Sequence, residues 1–275
     1  MAVLTFCVFS QYAFSQEEIK IQEKYTDHNK GKFYISWGGN RESYSKSDVT
    51  FRGENYNFTV ENMQAHDKPK GWHIDYLNPS RMTIPQTNFR LGYFISDHYS
   101  VSVGWDHMKY VMTQNQVANI TGTINTGEGF DGTYNHQPTV MTEDFLTYEH
   151  TDGLNYINAE FARHDDISKL FCIGNTDKIQ INLSEGFGAG VLYPKTNTQL
   201  MERSRHDEFH VSGYGLSAKA ALNITFLKHF YIQGELKGGY INMQDVKTTF
   251  NNNDSAFHDF YFFQRIISVG GIFRV

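Results

Sequence analysis

Apolar and polar residues alternate with a period of two through most of the second half of the chain. Between residues 216 and 226, Leu216, Ala218, Ala220, Leu222, Ile224 and Phe226 share one face, and Ser217, Lys219, Ala221, Asn223 and Thr225 share the other. After Leu227-Lys228-His229 the pattern resumes. Phe230, Ile232, Leu236 and Tyr240 are on one side with Gly234 and Gly238, and Gln233, Glu235 and Lys237 are on the other. This period predicts β-strands with one apolar face, joined here by a short antiparallel turn.

The same reading predicts eight main strands, over residues 33–40, 88–95, 100–112, 154–163, 178–193, 211–226, 230–240 and onward, and 260–275. Beyond His107 the alternation in the third strand degrades. In the fifth strand Glu185 falls among apolar neighbours, and a bulge near Gly186 would turn it inward. Two further segments, 56–60 and 142–148, would raise the count to ten if they extend into the same sheet. Val49, Phe51, Tyr56, Phe58 and Val60 flank Gly53-Glu54-Asn55 as a small hairpin within a long polar loop.

The connections alternate in length. Residues 41–81, 113–151 and 194–210 form long polar stretches, whereas 96–99 and 227–229 are tight turns. Long loops at one end and turns at the other are the signature of an up-and-down barrel that crosses a membrane, with the loops extracellular and the turns periplasmic. Glycine on the polar face suits a narrow lumen.

Composition supports this in one respect and limits it in another. Of 275 residues, 22 are Phe, 17 Tyr, 23 Gly and 5 Pro. Mean hydropathy is -0.50, and no helix-length apolar run of the kind a membrane helix needs is present. Strands that are apolar on one face only are compatible with such a mean. The net charge of -6, without a basic run, argues against nucleic acid as a partner.

Residues 1–15 are apolar and end in Ala13-Phe14-Ser15, which reads as a secretory signal peptide. Residues 16–30 then form a polar tether, and residues 31–275 form the barrel domain. Cys7 lies in the signal segment, which leaves Cys172 alone and excludes an intramolecular disulfide.

The final strand, Gly271-Ile272-Phe273-Arg274-Val275, resembles the C-terminal insertion signal of outer-membrane barrels, with its aromatic two residues before the end. In pattern, residues 31–275 resemble the small eight-stranded outer-membrane β-barrel superfamily, of OmpA/OmpX-like architecture. The match is strongest over 88–105 and 178–275. The resemblance implies location in a Gram-negative outer membrane after signal cleavage, with membrane lipid and lipopolysaccharide as surroundings. It implies no particular activity.

The polar faces carry Arg90, Asp106, Glu160, Lys219, Glu235 and Lys237, three positive and three negative side chains. Inside a narrow barrel such residues are expected to pair across the lumen and seal it. Several loop histidines have acidic neighbours, as in His66-Asp67 and His206-Asp207-Glu208, but none has a tight metal-ligand spacing. No metal and no cofactor are expected.

The reading that follows is a non-enzymatic structural or surface-binding protein that meets any extracellular ligand through its loops. A lipid-modifying enzyme, similar to the lipid A deacylases, is the alternative. It would draw on Ser212, His210 and Asp207, although no GxSxG elbow is present. A soluble lipocalin-like barrel, with its apolar face inward, is a third reading.

Overall fold

The computed structural model describes residues 24–69, 86–203 and 206–275. The expected signal peptide, residues 16–23 of the tether and part of the first long loop lie outside the described residues. In chain order the strands are β1 (Lys32–Tyr44), β2 (Ser47–Gly53), β3 (Tyr56–Met63), β4 (Ala65–His66), β5 (Thr87–Phe94), β6 (Tyr99–Met112), β7 (Val117–Ile124) and β8 (Gly132–Val140). They continue as β9 (Leu146–Asp166), β10 (Ile179–Leu192), β11 (Lys195–Leu200), β12 (His206–Phe209), β13 (Gly213–Phe226), β14 (Phe230–Lys247) and β15 (Ser255–Arg274).

Hydrogen bonding runs β1-β5-β6-β9-β10-β13-β14-β15, and β1 pairs back with β15. These eight strands therefore close on themselves, each antiparallel to its neighbours, and no sheet edge is left open around the ring. They coincide with the eight periodic segments of the sequence. Residues 56–60 belong to β3, which lies outside the ring between β2 and β7, and Leu146–Tyr148 are the upper end of β9.

Within the lower part of the ring, large apolar side chains point outward. Trp37, Val103, Phe187 and Ile267 are 56%, 59%, 64% and 71% exposed. This is the reverse of a lipocalin-like barrel, and it exposes more contiguous apolar surface than water tolerates. Aromatic rings border the band. Phe33 packs on Tyr93 and Phe273, and Tyr99 on Phe161, toward the end with the chain terminus. Tyr193 stacks on Phe209, and Tyr240 meets Tyr261 at a tilted angle, toward the other end. Above these upper rings β9 and β14 continue beyond the band.

The inward positions of the band are small or polar. A side chain at Gly92 would collide with the Tyr34 ring, its Cβ reaching 2.0 Å from Cζ. Glycine there lets Tyr34 lie across β5 inside a lumen too narrow for both.

Glu185 departs from the sequence expectation. β10 pairs with β9 and β13 without a register shift, so no bulge turns it inward. It stays exposed on the outer face, opposite Arg163 of β9. An unbroken ladder keeps a period of two, and the sheet retains its hydrogen bonds at the cost of one outward carboxylate.

Residues 24–31 fold back across the base of the barrel. The Thr26 amide and hydroxyl both donate to Asp177 (3.1 and 3.0 Å), and the amides of Asn29 and Lys30 donate to Asp97 (2.8 and 2.9 Å). Asp97 and Asp177 belong to the two connections at this end, so this part of the tether is tied to the turns it crosses.

The long connections at the opposite end are largely folded. β2, β3, β7 and β8 continue the sheet from the upper end of β15, and β11 and β12 continue it from β9. Their inner faces bury Val49, Phe51, Phe58, Val60, Ile120 and Phe145 against Met108, Tyr110, Met243 and Phe260, which are on the upper ends of ring strands. An apolar core thus caps the mouth of the barrel. Alternation fails after His107 where β6 enters this region: residues 106–110 are all buried, Met108 and Tyr110 join the cap core, and the β6–β9 ladder shifts register between them.

Candidate functional site

The lumen is the place where chemistry-bearing side chains converge. Arg90 comes from β5, Asp106 from β6, Glu160 from β9, Lys219 from β13, and Glu235 and Lys237 from β14. Strand alternation directs each of them inward, and the ring brings all six together. Lys237 Nζ lies 2.8 Å from Asp106, 2.9 Å from Glu160 and 3.5 Å from Glu235. Lys219 Nζ lies 2.7 Å from Glu160 and 3.2 Å from Glu235. Arg90 Nη2 lies 2.8 Å from Glu160 and 3.8 Å from Asp106.

Amides complete the coordination of this network. Asn88 donates to Asp106 Oδ1 (2.6 Å) and Asn158 to Asp106 Oδ2 (3.0 Å). Arg90 donates to Asn158 (3.0 Å) and Ser102 (3.2 Å), and Gln233 donates to Glu235 (3.0 Å). Gly104 makes room for the guanidinium, since a Cβ there would come within 2.5 Å of Arg90 Nη2. Lys219 and Lys237 stand directly opposite each other on adjacent strands. Like charges in that register repel, and Glu160 and Glu235 between them remove the repulsion.

Three cations and three carboxylates leave this layer neutral and mutually hydrogen-bonded. Such an arrangement fills this level of the lumen with buried charges, each of which has a partner of opposite sign. Below it lies a polar cavity of about 50 Å³, lined among others by Tyr34, His164, Gln180, Tyr231 and Gln233, with room for at most a few water molecules.

The candidate nucleophile is placed differently. Ser212 is buried, and its hydroxyl donates to the main-chain oxygen of His210 (3.2 Å). The His210 imidazole instead pairs with Asp245 of β14 (2.8 Å), a residue the sequence did not single out. Asp207 lies on β12, and its side chain is outside the described residues. Among the described residues no group of three His, Cys, Asp or Glu is disposed to hold a metal ion.

A second cluster, in the cap, was not legible from sequence. His258 Nε2 lies 3.2 Å from the Tyr148 hydroxyl, and Ser47 Oγ lies 3.2 Å from the Tyr110 hydroxyl and 3.5 Å from His258 Nδ1. His150 Nδ1 bonds Thr196 at 2.9 Å, and the two imidazole centroids are 6.0 Å apart. Tyr110 of this cluster lies on β6 beyond His107, in the part of that strand where alternation degrades and the pattern stops assigning faces.

Burial pushes His258 down to about 3 and holds His150 well below the ordinary histidine value, helped in His150 by the neighbouring His258. A histidine whose pKa falls on folding takes up its proton first in the unfolded chain. The contribution of His258 is therefore complete above about pH 6.5 and is lost, at about 1.4 kcal/mol per pH unit, as the pH falls from there toward about 3, and that of His150 is lost in the same direction. Hydrogen exchange of cap amides, corrected for intrinsic rates, should show protection falling between pH 6.5 and 4.5. Replacement of His258 by Gln should flatten that dependence. Protection that does not change with pH would refute the assignment.

No family model matches the chain, and no curated protein matches it. Solved structures of similar outline include the outer membrane protein OprG from Pseudomonas aeruginosa, at 11% identity, 91% coverage of this chain, 99% of that one and a TM-score of 0.37. Ail, the attachment invasion locus protein of Yersinia pestis, matches at 11% identity, 89% and 99% coverage and a TM-score of 0.33. The outer membrane protease OmpT from Escherichia coli matches at 9% identity, 88% and 96% coverage and a TM-score of 0.21. With TM-scores of 0.37 or less, these likenesses assign neither a family nor an activity. On its own geometry the chain is an all-β, antiparallel, closed barrel with an apolar outer belt, a charge-sealed lumen and a folded cap.

Proposed function

We propose that the protein is an integral barrel of a Gram-negative outer membrane with a non-enzymatic structural or surface-binding role. The observation that carries this reading is the double closure of a barrel whose outer belt is apolar. Six paired charges fill the lumen, and the apolar core under β2, β3 and β7 covers its mouth. Only closed barrels and helices satisfy their backbone groups in lipid, and among the described residues no helix is long and apolar enough to span. A barrel that conducts nothing serves through its outer surfaces, here the cap formed from the long loops.

Purified protein reconstituted in planar bilayers should give no steady ion conductance, and its gel migration should be heat-modifiable. Porin-scale conductance would overturn the sealed-lumen reading, and solubility without detergent would overturn the membrane reading. The lipid-modifying alternative gains no support from Ser212, whose hydroxyl is turned to the main chain. Loss of acyl chains from lipopolysaccharide incubated with the protein, read by mass spectrometry, would restore it.

A further inference from the structure

Two arginines in direct register interrupt the outward apolar face. Arg41 of β1 stands opposite Arg265 of β15, and both are exposed. The outward series of β15 runs Tyr261, Phe263, Arg265, Ile267 and Val269, and that of β1 runs Ile35, Trp37, Gly39 and Arg41. Like charges directly opposite on a sheet destabilise it. Inside the barrel the comparable pair Lys219 and Lys237 is bridged by carboxylates. Outside, no carboxylate among the described residues bridges Arg41 and Arg265. Arg41 donates to the main-chain oxygen of Asn40 (2.6 Å). The next outward carboxylate along β15 is Asp259, six residues above Arg265 and paired across to Asn242.

Height along the barrel identifies the layer in which the pair sits. Lys32 and Arg274 are partners at the base, and Arg41 and Arg265 are each nine residues above them. Nine residues span about 30 Å of strand, or about 23 Å of height at a tilt of about 40°. A barrel's apolar band is about 25 Å tall. The two arginines therefore lie near the top of that band, Arg265 two and four residues below the outward Phe263 and Tyr261, and side chains of this length reach from there into the outer headgroup layer, where phosphate is the abundant anion and a guanidinium can pair with it bidentately. Next to the pair, the sheet is bare on both sides of Ile267. Its neighbours are Gly39 and Gly234, and a Cβ on Gly234 would meet nothing within 4 Å.

We propose that Arg41 and Arg265 together hold a phosphate group of a phosphorylated outer-leaflet glycolipid, whose acyl chain lies along Ile267 over the bare backbone at Gly39 and Gly234. The inference rests on the membrane reading above and adds to it a specific lipid site.

The test is native mass spectrometry of detergent-purified protein titrated with diphosphoryl lipid A, with its dephosphorylated form, and with inorganic phosphate as competitor. The wild type should retain diphosphoryl lipid A at least tenfold more tightly than the dephosphorylated lipid. The R41Q/R265Q double variant should lose that preference while its gel migration stays heat-modifiable. Displacement of the lipid by inorganic phosphate at similar concentration would overturn the lipid as ligand. Equal retention of the two lipids by the wild type, or equal retention of diphosphoryl lipid A by wild type and variant, would overturn the site. The comparison within the wild type decides the matter even if the variant fails to fold. A wild type that never enters detergent micelles or liposomes would overturn the membrane reading and this site together, a result distinct from equal lipid retention by an inserted barrel.

Discussion

Replacing Lys237 by Met should destabilise the barrel by about 3–5 kcal/mol, the usual cost of removing one partner from a buried ion pair. Lys237 is 1% exposed and touches three carboxylates, Asp106, Glu160 and Glu235. Without it this buried layer of the lumen carries three carboxylates and two cations, an uncompensated charge in a setting of low dielectric constant. The cost comes mainly from the uncompensated charge, so a second change should recover much of it. Asp106→Asn in the Lys237→Met background restores neutrality and should regain roughly half of the loss, a coupling that a double-mutant cycle reads directly. Urea unfolding from lipid vesicles, followed by tryptophan fluorescence, gives both numbers. A Lys237→Met midpoint equal to that of the wild type would mean the network is solvated and the lumen open.

Phe58→Ala should cost about 3–5 kcal/mol as well, but in a different part of the molecule. Phe58 is 1% exposed in β3, with ring centroids of Phe51, Phe145 and Tyr56 at 5.3, 5.7 and 6.1 Å. The strands it anchors join the ring through short ladders: residues 255–257 of β15 with 50–52 of β2, and two pairs between β4 and β6. With so few shared hydrogen bonds, the cap is expected to open as a unit of its own. Limited proteolysis should then cut within residues 47–63 and 117–140, while the barrel keeps its heat-modifiable migration. Loss of that migration in Phe58→Ala would show that cap and barrel unfold together.

The two variants separate the parts of the protein that were readable from sequence from those that were not. Lys219, Glu235 and Lys237 were placed on the polar face by alternation alone, because a strand sends every second side chain to the same side. Phe58 also lay in a recognisable hairpin, around Gly53-Glu54-Asn55. Its destination did not show, because a hairpin with one apolar face looks the same whether that face meets lipid, another sheet or the mouth of a barrel. Glu185 shows the converse: a bulge would have repaired the local pattern, but the ladders with β9 and β13 run through without one. The His210–Asp245 pair joins residues 35 positions apart, and nothing local marks it.

Local chemistry along the chain determined the eight ring strands, their inward and outward faces and the end at which the long connections gather. Each follows from a period of two and from turn length, which are properties of neighbouring residues. The closing of β1 on β15, the meeting of six charges from five strands, and the folding of polar loops into an apolar cap were decided only in three dimensions. So was the pairing of Arg41 with Arg265, residues 224 positions apart that share one level of the outer wall. Register between distant strands depends on the shear of the whole ring, and no stretch of sequence carries that quantity by itself.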